Sequence, residues 1–89
     1  MKSLLAAATV LAGTLLGASH ASAQSCQDLW VERNSYYKDA GYCFKTARAI
    51  SYFGNAGCRY DNEAAVPLSG SVRARIAEIT RMERAYRCN

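Results

Sequence analysis

The residues able to do chemistry in this chain are four cysteines, seven carboxylates, six tyrosines, one tryptophan and one histidine. The cysteines are Cys26, Cys43, Cys58 and Cys88. Their spacing holds no C-x-x-C pair, which speaks against a four-thiolate zinc site and for two disulfides. The histidine is His20. It lies in an N-terminal segment with the marks of a cleaved leader. Its removal takes Ser-His and Cys-His nucleophile pairs, and every imidazole metal ligand, out of the mature chain. Six carboxylates (Asp28, Glu32, Asp39, Asp61, Glu63 and Glu78) could supply an acid–base pair of the kind used in glycoside hydrolysis. No motif singles out two of them, so no catalytic residue is expected. Asp61-Asn62-Glu63 lacks the glycine turn and distal glutamate of a calcium loop and reads as a polar loop. No metal and no cofactor are implied.

Two surfaces are candidates for binding. Arg73, Arg81, Arg84 and Arg87 fall on one stripe of a helical wheel, where they either meet an anion or make an ordinary solvated face. Tyrosines at helical spacing, with Trp30, read first as core with hydroxyls at the rim. Tyr60, placed in a loop, is the aromatic expected to be most exposed.

The elements that must position these residues begin after a leader. Lys2 is followed by an uncharged run from Leu4 to Ala18 and by Ala21-Ser22-Ala23, the small-x-small pattern of a signal-peptidase site. Residues 1–23 are expected to be a signal peptide, and 24–89 the mature domain. The run is shorter than the roughly 20 residues of a membrane span, so no transmembrane segment is expected in the mature form. Of 11 basic residues Lys2 is lost, leaving ten against seven acidic ones, eight of the ten being arginine. A modest positive charge outside the cytoplasm favours anionic envelope partners over nucleic acid, though the plainer reading is that it keeps a small domain soluble. A domain this small needs staples.

Three helices are expected. The first runs from about Cys26 to Ala40, with Ser25 and Asp28 as a capping box and Gly41 as its stop. The second runs from Ala47 to Phe53 behind a Thr46 cap, with Ile50 and Phe53 facing inward. Tyr42 and Phe44 just ahead of it join the core. Residues 59–68 read as loop. A third helix follows a Ser69 or Ser71 cap and reaches Tyr86, with Val72, Ile76, Ile79 and Tyr86 as its apolar stripe. Two charges interrupt these stripes, Arg33 on the first helix and Glu83 on the third. Because the stripes must face each other, the two are expected to form an inward ion pair; the alternative is that both heads reach solvent past their neighbours. Asn34 is expected beside them, bonding backbone of a neighbouring loop. Of the three possible disulfide pairings, Cys26–Cys43 would join the ends of one rigid helix, about 20 Å apart at 1.5 Å per residue. Cys26–Cys58 with Cys43–Cys88 is not excluded in this way. Cys43–Cys58, clipping the second helix, with Cys26–Cys88 is the favoured pairing.

The string Leu29-Trp30-x-x-Arg33-Asn34-x-x-Tyr37-x-x-x-Gly41-Tyr42-x-Phe44 resembles the YARHG domain, a family of short exported bacterial modules. The likeness continues in Tyr52-Phe53 and in Ile76-x-x-Ile79-x-x-x-Glu83. There are departures. Tyr37 to Gly41 keeps only the first and last letters of the namesake motif, with Ala40 in place of its histidine. Cys58-Arg59 stands where the family tends to show Trp-Tyr. The resemblance implies a divergent, disulfide-bearing branch of an extracytoplasmic module.

The expectation is therefore an all-α, three-helix domain stapled by two disulfides, exported to the periplasm or beyond. Its expected role is non-catalytic contact with peptidoglycan, an anionic envelope polymer or another envelope protein. A small secreted enzyme or enzyme inhibitor is the competing reading.

Overall fold

The computed structural model of the protein describes residues 26–88. The expected signal peptide, the cleavage point and the Ser25 cap lie outside them. Among the described residues there are three α-helices: α1 over 26–40, α2 over Ala47–Phe53 and α3 over Gly70–Ala85. A single 3-10 turn, Glu63–Ala65, lies between α2 and α3. No described helix is long and apolar enough to cross a membrane.

Helix α1 stops at Gly41, whose φ of 95° suits a residue without a Cβ. The turn is closed by Gly41 N donating to Lys38 O and Tyr42 N donating to Tyr37 O. Gly41 is also approached closely, since a Cβ there would lie 3.4 Å from the Tyr60 ring. Its carbonyl accepts from both Arg59 N and Tyr60 N, and Cys43 N donates to Tyr60 O. The result is an isolated parallel bridge between Tyr42 and Tyr60, inside a stretch that reads as plain loop in the sequence.

Thr46 caps α2, its hydroxyl oxygen accepting from Ala49 N at 3.2 Å. The rotation of α2 differs from expectation. Phe53 stacks on Phe44 at 5.2 Å between centroids, and Ala49, one turn earlier on the same face, is buried. Ile50 lies about 100° round the helix and is 43 % exposed. The small Ala49 lets the helix sit close to the core, so it takes the inward place that the sequence assigned to Ile50. Asn55, just after α2, pins Phe44 by its backbone: Phe44 N donates to Asn55 Oδ1 at 2.7 Å and Asn55 Nδ2 donates to Phe44 O at 3.0 Å.

Ser69 is the cap of α3, its hydroxyl accepting from Val72 N. Ile79 and Val66 are the most deeply buried side chains of the core, joined by Leu29, Phe44 and Ala49. Tyr86, expected inside, is 49 % exposed. The helix ends at Ala85, and Arg87 has φ 56°, so residues past 85 leave the helical wheel. This turn brings Cys88 round, its N–H donating to Glu83 O, into the bond with Cys26.

The disulfides are Cys26–Cys88 and Cys43–Cys58, with Cα atoms 5.5 and 5.1 Å apart. The first ties the start of α1 to the end of α3. The second closes the segment carrying α2.

Candidate functional site

A cleft of about 230 Å³ opens where α1, the approach to α2 and the 3-10 turn meet. Trp30, Arg33 and Asn34 come to it from α1, spaced so that they share one side of the helix. Tyr42, Phe44, Lys45 and Thr46 come from the segment held between the Gly41 stop and the Thr46 cap. Ala49 and Glu63 complete it.

Arg33 is fixed by Glu83 of α3. Nε donates to Oε1 at 2.7 Å and Nη2 donates to Oε2 at 3.1 Å, two parallel bonds between a planar guanidinium and a carboxylate. The pair is shielded and not sealed, with the side chains 29 % and 13 % exposed. Asn34 is 9 % exposed. Its Nδ2 donates to Trp30 O in its own helix, at 2.9 Å, and not to a neighbouring loop as the sequence suggested.

Trp30 is enclosed on several sides. Arg48 lies over its ring, with the guanidinium carbon 3.8 Å from the centroid, and donates onward to Gln27. Tyr52 meets the indole edge-on at 5.6 Å, and Phe53 packs at 5.8 Å. Tyr37, Tyr42 and Phe44 continue the aromatic run toward Glu63. Burial and the nearby Glu63 carboxylate raise the pKa of Tyr37.

A second ion network lies on the other flank of α1. Arg75 of α3 makes two bonds to Glu32, Nε to Oε2 at 2.7 Å and Nη2 to Oε1 at 2.8 Å, while its Nη1 donates to Glu78. Tyr36 also donates to Glu32. The Arg75 bond, then the Tyr36 bond, hold the Glu32 carboxyl down at about 2. The bonds to Glu32, then to Glu78, raise the pKa of Arg75. Donating its O–H to the Glu32 carboxylate raises the pKa of Tyr36.

None of the stripe arginines lines the cleft. Arg73, Arg81, Arg84 and Arg87 are all exposed, and none forms a salt bridge among the described residues. Arg73 donates to Leu68 O at 3.2 Å. Tyr60 does not present a free aromatic face. It is half-buried, with its backbone in the bridge and its ring against Gly41. Tyr52, at 57 %, and Tyr86, at 49 %, are the exposed large aromatics among the described residues. Asp61 of the acidic loop pairs with Lys45, and Asn62 caps the 3-10 turn through Oδ1 accepting from Ala64 N.

Sequence reasoning missed the cleft because Lys45, Thr46 and Glu63 have no periodic signal relating them to α1. One clue was available. Five positions of the motif that begins at Leu29 (Trp30, Arg33, Asn34, Tyr42 and Phe44) line this single cleft.

Comparison with known proteins agrees with the resemblance drawn from these residues. The family model described as the YARHG domain matches residues 4–84. No curated protein and no solved structure matches the chain. The family is a small domain of extracellular type, and two disulfides accord with an oxidising compartment. With most of its length covered by that match, the chain belongs to the YARHG domain family.

Proposed function

We propose that this domain is a non-catalytic binding module of the bacterial cell envelope, and that it contacts an anionic envelope polymer through the arginine face of α3. The observation that carries this reading is the contrast among arginines. Arg33 and Arg75 are each taken up by carboxylates, whereas Arg73, Arg81, Arg84 and Arg87 are each exposed and free of salt bridges among the described residues. A planar guanidinium recognises phosphate and carboxylate groups by paired hydrogen bonds, and three on α3, with Arg87 just beyond its end, give attraction over a broad polyanion.

The cleft supports the non-catalytic reading. It is lined by one carboxylate, Glu63, where glycosidic hydrolysis needs two. The domain acts after export, as the mature chain beginning at Gln24. Intact-mass measurement of the secreted protein tests that step, and a retained Met1 or a lipidated Cys26 would contradict it.

The binding test is retention on purified cell walls that keep their anionic polymers. Wild type is expected to be retained at low salt and released as salt rises. A variant with Arg73, Arg81, Arg84 and Arg87 all changed to Ser should wash through while keeping its circular dichroism. Equal retention of the two proteins would return this face to ordinary solvated surface.

A further inference from the structure

The cleft has a chemistry of its own, independent of the arginine face. Arg33 spends Nε and Nη2 on Glu83, leaving Nη1 without a partner among the described residues. Asn34 spends Nδ2 on Trp30 O, and its Oδ1 has no partner among the described residues. That oxygen is not sealed in, since no side-chain nitrogen or oxygen among the described residues is buried without a partner. Asn34 is nine-tenths buried and lines the cleft. Lys45 adds a second cation, held only by an exposed pair with Asp61. Thr46 accepts from Ala49 N and keeps its O–H to donate. Glu63 supplies a carboxylate.

Charge complementarity narrows what fits. A simple anion would meet Glu63, and a simple cation would meet Arg33 and Lys45. A neutral sugar would want an open aromatic face, but the Trp30 ring is covered by Arg48 and flanked by Tyr52 and Phe53. A ligand carrying both charges close together satisfies both sides. A volume of about 230 Å³ suits one small residue and not an extended chain.

We propose that the cleft binds a zwitterionic amino-acid group, a carboxylate and an ammonium carried on one carbon. The carboxylate lies toward Arg33 and Lys45. The ammonium lies toward Asn34 Oδ1 and Glu63. Glu83 is a positioning residue, since it orients Arg33 without reaching the ligand. Two sources offer this group: free amino acids, and wall peptides whose diamino acid keeps one amino–carboxylate end unlinked.

The test is a nuclear magnetic resonance titration of the secreted, oxidised protein with alanine, N-acetylalanine and alaninamide. Alanine is expected to shift the Asn34 side-chain amide and the backbone amides of Thr46 and Ala49. The two blocked forms, each lacking one charge, are expected to bind about tenfold more weakly or not at all. Glu63→Gln and Lys45→Gln change exposed residues that the core does not need. Each should weaken alanine by a similar factor in a protein whose spectrum is otherwise that of the wild type. Competition by a wall-peptide digest would name the wall as the source, and a digest that does not compete would assign the cleft to free amino acids. Shifts that are equal for all three probes, absent for alanine, or unaffected by both substitutions would overturn the proposal. The Arg73, Arg81, Arg84 and Arg87 serine variant should bind alanine as the wild type does, so failure of the polymer reading leaves this one standing.

Discussion

The Arg33 guanidinium lies edge-on to the Glu83 carboxylate, 50 residues away in sequence, and links the middle of α1 to the last turns of α3. Breaking such a pair from one side leaves a shielded charge without its partner. Had the pair been fully buried, the cost would be about 3–5 kcal/mol. With Arg33 29 % exposed, water softens that loss. Arg33→Met and Glu83→Gln are each expected to cost about 1–3 kcal/mol, with coupling of about 1 kcal/mol or more in a double-mutant cycle read by urea unfolding. Additive losses would show that the two heads do not meet in solution.

The disulfides should contribute unequally. In the chain-entropy account a bridge spanning 62 residues constrains the unfolded chain more than one spanning 15. Replacing Cys26 and Cys88 by Ser should cost about 4 kcal/mol, and replacing Cys43 and Cys58 about 3 kcal/mol, as lower midpoints in denaturant. Non-reducing peptide mapping checks the connectivity directly, and a Cys26–Cys58 peptide would contradict it.

Acid should dissolve the Glu32 network late. Its carboxyl ionises at about 2 when folded against 4.5 ordinarily, Arg75 being the main cause. A depressed carboxylate pKa contributes stability that is full above the ordinary value and is lost as pH falls through the folded one. The stability difference between wild type and Glu32→Gln should therefore be flat from pH 7 to pH 5 and shrink between about 4.5 and 2. Melting curves across that range measure it. A difference that stays constant down to pH 2 would mean that Glu32 makes no such bond.

Asn55 stands in for a strand partner by bonding both polar groups of the Phe44 backbone. Asn55→Ala would strand a buried residue's N–H and C=O, and is expected to cost about 2 kcal/mol. Asn55→Asp should recover only part of this, because a carboxylate accepts from the N–H but gives nothing to the carbonyl. Thermal unfolding of the two variants separates these outcomes.

Much of the fold is readable from residue order, because its helices obey local rules. Gly41, Thr46 and Ser69 mark ends that backbone hydrogen bonding then demands, and the period of Leu29, Ile76 and Ile79 points to the core. What order does not reveal depends on third parties. Ile50 looks inward until Phe44 fixes the rotation of α2 and gives the place to Ala49. Tyr60 looks exposed because its partner is a carbonyl at Gly41, and backbone groups carry no letter. Tyr86 fits the stripe of α3 only if the helix continues, and the pull toward Cys26 ends it first. The cleft is the furthest from view, since Lys45 and Glu63 reach it through a turn and a bridge.

The Cys26–Cys88 bond has a mechanical consequence. It makes the described domain a loop closed at its neck, with all three helices strung inside the ring. Tension applied through whatever adjoins Cys26 and Cys88 passes across two sulfur atoms and leaves α1, α2 and α3 unloaded. Under reducing conditions the same pull would run through the helices.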